Sequence, residues 1–210
     1  MNLIELKNVT KKYGRQTVVD NVSLSVGEGE IAIVYGRNGS GKTVLQRIIL
    51  DLVKEYDGVK NTRCEVYGEV DGPALFRHMN ARENIRSILG ESETVNAERY
   101  AGIFGVNEFG DKRVVHYSTG MRQRLFLAIV LAKNAGLTVL DEPFSGLDAE
   151  GVNILNKVLT EERAGGRSFL VATHILTGLE DEADRLYLME NGRLRDAARE
   201  ELPVFTENGD

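Results

Sequence analysis

The stretch Ile31-Ala32-Ile33-Val34-Tyr35-Gly36-Arg37-Asn38-Gly39-Ser40-Gly41-Lys42-Thr43 decides the fold. Ile31 to Tyr35 is a short, unbroken apolar run, the pattern of a strand buried on both faces. Gly36 to Thr43 then matches GxxxxGK[ST] in full. From Thr43 to Leu52 apolar residues return at helical spacing, at Val44, Leu45, Ile48, Ile49 and Leu52. Strand, glycine-rich loop and helix N-terminus in that order make a phosphate cradle. Glycines let successive N–H groups turn inward, and the positive end of the helix dipole adds to them. Lys42 brings a point charge to the β- and γ-phosphates, and the Thr43 hydroxyl suits Mg2+. A chance lysine in a glycine-rich turn would not be flanked by both elements. The loop residues Gly36, Arg37, Asn38, Gly39, Ser40, Gly41, Lys42 and Thr43 are therefore read together as a nucleotide-binding set.

Outward from this loop the same α/β rhythm recurs. Leu3–Val9 and Val22–Val26 read as strands ahead of the Gly27-Glu28-Gly29 turn. Near the other end, Met121–Lys133 reads as an apolar helix, Leu137–Leu140 as a buried strand and Glu150–Arg163 as an amphipathic helix closed by Gly165-Gly166. Ser168–Thr173 is a further buried strand, followed by a short acidic helix. A hairpin runs from Arg185–Met189 through Glu190-Asn191-Gly192 to Gly192–Arg195. Between about 71 and 120 the pattern changes to helical stretches at Ala81–Leu89 and Ala97–Phe104, read as a small helical insertion. The polar stretch after Pro203 is expected to fray.

Two strand ends carry chemistry. Leu137 to Leu140 delivers Asp141 and Glu142 at its carboxyl end, where an open α/β sheet places its ligands. Asp141 is placed to hold Mg2+, and Glu142 to polarise an attacking water. Ser168–Thr173 delivers His174 at the same edge, in reach of a γ-phosphate as a hydrogen-bond donor. His78 and His116 are given no role.

Composition bounds the alternatives. The 210 residues carry 42% hydrophobic and 28% charged side chains, an ordinary globular balance. A net charge of −6 offers no general attraction to nucleic acid or anionic lipid. No run nears the roughly 18 apolar residues of a spanning helix, and Met1–Lys7 lacks the pattern of a signal peptide. The one cysteine, Cys64, excludes an internal disulfide and reads as a small packed side chain.

The order and spacing of these elements, from about Leu3 to Arg195, resemble the ABC ATPase family. The stretch Tyr117-Ser118-Thr119-Gly120-Met121-Arg122-Gln123-Arg124 looks like a divergent form of that family's LSGGQ signature and following QR pair. Its Ser and second Gly stand as Ser118 and Gly120, while Leu, the first Gly and Gln are replaced by Tyr117, Thr119 and Met121. Further matches are Tyr13, at the position of an aromatic that stacks on adenine, and Ser145-Gly146-Leu147-Asp148, similar to the D-loop. Asn80-Ala81-Arg82-Glu83-Asn84-Ile85 looks like the segment after the Q-loop. One departure stands out: the alignment puts Asp71, not Gln, at the Q-loop position, where a side chain would touch the metal.

The resemblance implies a P-loop NTPase of α/β class, with a mostly parallel central sheet, an N-terminal antiparallel β subdomain and a small helical insertion. It implies a single cassette, with a core at about 1–70 and 121–200 and an insertion at about 71–120 carrying the signature at its end. ATP and Mg2+ are the implied ligands, with Lys42, Glu142 and His174 in catalysis and Thr43, Asp141 and Asp71 at the metal. Ser118 and Gly120 would act in trans, on ATP held by a second copy or a homologous ATPase subunit. The expected partner is an integral membrane transporter subunit, which would hold the cassette at the cytoplasmic face of the plasma membrane. No nucleic-acid partner is expected. The Tyr-Ser-x-Gly-Met signature and Thr173-His174-Ile175-Leu176 favour exporters of drugs, lipids or peptides. The short stretch after the hairpin offers no regulatory domain of the kind many importers carry. The competing expectations are a soluble ABC ATPase on a non-membrane scaffold, and a cassette that only binds ATP and signals by dimerising; Lys42, Asp141, Glu142 and His174 speak against the latter.

Overall fold

The computed structural model describes residues 1–70, 72 and 74–204, apart from the side chain of Glu69. In chain order the strands and helices are β1 (Asn2–Tyr13), β2 (Gln16–Gly27), β3 (Ile31–Tyr35), α1 (Lys42–Ile49), β4 (Asp57–Thr62) and β5 (Val66–Glu69). Then follow α2 (Ala81–Leu89), α3 (Thr94–Ile103), α4 (Thr119–Ala132), β6 (Leu137–Asp141), α5 (Ala149–Ala164), β7 (Ser168–Thr173), β8 (Arg185–Glu190) and β9 (Arg193–Asp196). The chain divides into two compact units: one of residues 1–70, 135–142 and 158–210, the other of 71–134 and 143–157.

The first unit holds both sheets. The smaller is antiparallel, in the order β2-β1-β4. Along β1, Ile4 and Leu6 point inward, opposite Val26 and Leu24. Strict alternation would next bury Asn8. Instead the register shifts, Asn8 takes a left-handed backbone (φ 52°) and Val9 is the buried residue. A bulge thus keeps the apolar face continuous where the sequence steps out of phase.

The larger sheet has the order β5-β6-β7-β3-β8-β9, parallel except for the β8–β9 hairpin. Every residue of β3 and of β7 is buried, as their unbroken apolar runs require. This order sets the strand that precedes the glycine loop beside the strand that precedes His174, and that strand beside the one ending in Asp141. Three chemistry-bearing carboxyl ends are therefore neighbours on one edge.

Two strands escape the sequence pattern. β4 is largely exposed and reads Asp-Gly-Val-Lys-Asn-Thr, with no alternation to mark it, and it is held at the sheet edge by pairing with β1. β5 is four residues long and, among the described residues, pairs only with β6. The expected acidic helix after β7 is instead a single 3-10 turn, Leu179–Asp181. There the Glu180 carboxylate accepts the N–H groups of Thr177 and Gly178, a side-chain alternative that competes with continued helix. The hairpin turn has positive φ at both Asn191 and Gly192, as a type I′ turn needs. Of the expected frayed stretch, the residues after Val204 lie outside those described.

β4 contributes one further device. Lys60 is nearly buried, and its Nζ donates to the carbonyls of Ile48 (3.1 Å) and Ile49 (3.0 Å), the last turn of α1, beside Asp51 at 2.7 Å. It satisfies carbonyls that the helix leaves open and places a cation at the negative dipole end. Asp51 is mostly exposed, so the bonds to the two carbonyls dominate. Lys60→Met keeps the stem and removes the donors. It is expected to cost about 1–2 kcal/mol and lower Tm by roughly 3–6 °C in thermal denaturation. A Tm equal to that of the unaltered chain would show that the cap contributes nothing.

The second unit is helical. α2 starts with a capping box: Asn80 Oδ1 accepts from Glu83 N–H (2.9 Å) and Glu83 Oε2 accepts from Asn80 N–H (2.8 Å). α3 packs on α4, and α4 is buried at every position from Leu125 to Ala132. No helix among the described residues is long and apolar enough to cross a membrane.

Candidate active site

α1 begins immediately after Gly41, whose φ of 111° belongs to glycine and which gives the helix no side-chain cap. A Cβ at Gly41 would also stand 2.6 Å from the Val18 carbonyl. The loop is thus pinned from the β2 side, and the first amides of α1 receive no side-chain acceptor from the helix's own cap. Ser40 Oγ is buried without a hydrogen-bond partner. Val18, Asn38, Gly39, Lys42, Thr43 and Glu142 line an open depression of about 180 Å³ at this point. Helix amides and a cation around a concavity, with a buried unsatisfied hydroxyl in the same loop, suit an anionic ligand.

Lys42 is 5% exposed. Its ammonium donates to the carbonyls of Gly36 (2.6 Å) and Arg37 (3.1 Å) and pairs with Glu142 Oε1 at 3.2 Å. The other Glu142 oxygen lies 2.8 Å from His174 Nδ1 and accepts the His174 backbone N–H at 3.3 Å. One carboxylate thus joins the lysine of the loop to the histidine that follows β7. Glu142 itself has a left-handed backbone (φ 46°), held by its N–H donating to the Ala172 carbonyl. For a non-glycine residue that conformation is strained, and such strain concentrates at functional positions.

Thr43 Oγ1 donates to Asp141 Oδ2 at 2.9 Å. A hydroxyl and a carboxylate side by side form an all-oxygen donor pair, which fits a hard divalent cation such as Mg2+. Gln46, one turn further along α1 and 1% exposed, donates to the Leu140 carbonyl at 2.9 Å and ties the helix to the end of β6. Gln46 and Val18 belong to no motif in the sequence. A polar residue set among Leu45, Ile48 and Ile49 was the available signal for the first; nothing local marks the second.

Tyr13 is half exposed at the end of β1, with Lys11 Nζ 5.0 Å from its ring centre, and it does not line the depression at the loop. Asp71, expected near the metal, lies outside the described residues.

In the second unit Ser118 is the N-cap of α4, its Oγ accepting the Met121 N–H at 3.2 Å. Gly120 is a close-approach position, since a Cβ there would sit 2.7 Å from the Gly146 carbonyl. Arg124 binds Asp148 at 2.7 Å, and Gln123 donates to the Pro143 carbonyl at 2.9 Å. The Gly151 N–H, and then Arg124, hold the Asp148 carboxyl below its usual range. The signature-like helix start and the Ser145–Asp148 loop therefore form one surface, around an open pocket of about 500 Å³ that includes Ser118, Gly120, Gly146 and Asp148.

Comparison with known proteins identifies the family. The family model described as ABC transporter matches residues 19–145, more than half of the chain. The lantibiotic transport ATP-binding protein SrtF of Streptococcus pyogenes is 27% identical over 204 residues, covering 91% of this chain and 89% of its own length. The bacitracin transport ATP-binding protein BcrA of Enterococcus faecalis is 30% identical over 208 residues, covering 91% and 68%. A solved structure described as the ATP binding subunit of an ABC transporter superposes with a TM-score of 0.83 at 25% identity, covering 95% of this chain and 91% of that one. From the phosphate loop, the acid-bearing strand end and these matches, the chain belongs to the ABC transporter family, as one of its ATP-hydrolysing cassettes.

Proposed function

We propose that this cassette hydrolyses ATP at the Lys42–Glu142–His174 cluster to drive an integral membrane exporter of drugs, lipids or peptides. The observation that carries the chemistry is the Glu142 carboxylate, shared between Lys42 at 3.2 Å and His174 at 2.8 Å. The relatives named for lantibiotic and bacitracin transport support the choice of cargo class.

In this mechanism the loop amides and Lys42 bind the β- and γ-phosphates. Arrival of the γ-phosphate draws Lys42 off Glu142, so the carboxylate becomes free to accept a proton from water as the phosphate is seated. His174, already hydrogen-bonded to Glu142, orients that carboxylate and reaches toward the γ-phosphate. Thr43 and Asp141 would hold Mg2+, which when bound supplies positive charge to the β- and γ-phosphate oxygens. Ser118 and Gly120 would present the start of α4 to ATP held by a second cassette, with Tyr13 stacking on adenine. A core at about 1–70 and 121–200 with an insertion at about 71–120 is the domain reading that goes with this proposal.

The test is affinity capture of the tagged chain from detergent-solubilised membranes of its host. Co-elution of a multispanning protein that raises its ATPase rate is the expected result. Recovery alone, or only with soluble partners, would replace the exporter reading with that of a soluble scaffold ATPase.

A further inference from the structure

The segment after the β8–β9 hairpin is tied to both strand ends that flank the reaction. Arg199 Nη2 lies 3.3 Å from Glu180 Oε1, and its Nε pairs with Asp181. Four residues on, the Pro203 carbonyl accepts the hydroxyl of Tyr35 at 2.7 Å, and the neighbouring Leu202 is buried. Tyr35, 1% exposed, is the last residue of β3 and directly precedes the glycine loop. Glu180 belongs to the turn that follows His174.

Glu180 is the pivot. Its side chain is only 4% exposed, yet it is a carboxylate. Its Oε2 accepts the N–H groups of Thr177 (3.1 Å) and Gly178 (3.0 Å), which fixes the far end of the loop that starts at His174. The near end is fixed by Glu142 on the His174 N–H and by Thr173 Oγ1 on the Ile175 N–H (3.1 Å). A carboxylate this buried holds its geometry only with a countercharge, and Arg199 and its guanidinium supply one from a separate segment.

We infer that Arg199 is a positioning residue for ATP hydrolysis: through Glu180 it holds the His174 loop in its hydrolytic register, with Tyr35–Pro203 anchoring the strap at the base of the phosphate loop. The inference rests on the role proposed above for His174. Arg199 is 46% exposed and reaches no reacting atom, so its effect is on the loop and not on ATP.

Steady-state ATPase assays of the full chain test this with Arg199→Gln, Arg199→Lys, Tyr35→Phe and His174→Ala. Arg199→Gln is expected to lower kcat roughly 3- to 10-fold with KM for ATP unchanged, and to lower Tm as well, because the buried Glu180 carboxylate loses its countercharge. Arg199→Lys should recover most of that loss, and Tyr35→Phe should lower kcat by a smaller factor. In the His174→Ala background, Arg199→Gln should bring no further loss. Wild-type kcat in Arg199→Gln overturns the inference. So does an equal loss in both backgrounds, or a loss that appears in KM and not in kcat. If His174→Ala alone leaves turnover intact, the proposed role of His174 fails first and the strap falls with it.

Discussion

Glu142→Gln is expected to bind ATP as well as or better than the unaltered chain while losing about 10²-fold or more in turnover, the scale of one positioned proton acceptor. The substitution keeps the volume and an oxygen for the His174 N–H, so the loop geometry survives. It removes the charge that pairs with Lys42 at 3.2 Å. Lys42 is then released to the phosphates without the ion pair to break, which is why affinity should hold or rise. What the chemical step loses is its proton acceptor, and the altered protein should accumulate with ATP bound. Phosphate release is measured at saturating MgATP, and nucleotide binding by equilibrium titration. Steady-state release close to that of the unaltered chain would remove Glu142 from the mechanism. A fall in both binding and turnover would instead assign it a structural part, in keeping with its strained backbone.

The parts of this molecule legible in the sequence are those where one physical constraint dominates the residue choice. β3, β7 and β6 are buried on both faces or nearly so, and leave unbroken apolar runs. The glycine loop must curl, and Gly41 at φ 111° against the Val18 carbonyl shows why no other residue would serve. β4 was silent because an edge strand needs only backbone partners, and its Asp-Gly-Val-Lys-Asn-Thr could as well be a loop. β5 was silent because four residues carry too little pattern. His174 is unremarkable as a lone histidine, and acquires meaning only from the strand order that sets β7 between β6 and β3. The Glu142 bridge to both Lys42 and His174 could not be read at all. It depends on side-chain reach among the start of α1 and the ends of β6 and β7, far apart in sequence, and the Arg199–Glu180 pair likewise joins two segments through side chains.

Binding should register as stability, and Lys42→Ala should nearly abolish it. Ligand present at about 100 times its dissociation constant stabilises the folded state by roughly 2.7 kcal/mol. For a chain of this length that corresponds to a rise in Tm of very roughly 5–10 °C. Lys42 is almost fully buried and is held by the carbonyls of Gly36 and Arg37 and by Glu142. Its removal therefore also lowers the ligand-free Tm, because Glu142 loses its cation, so each protein must be compared with its own ligand-free state. With the ammonium gone, the loop amides remain but the point charge at the β- and γ-phosphates does not. The shift with MgATP is expected to fall to about 2 °C or less, and to fall by more for ATP than for ADP, since the γ-phosphate relies most on Lys42. Thermal denaturation with and without each nucleotide measures both effects. Equal shifts in Lys42→Ala and the unaltered chain would mean that ATP binds elsewhere. A loss equal for ATP and ADP would place Lys42 at the β-phosphate alone and leave the γ-phosphate to other groups.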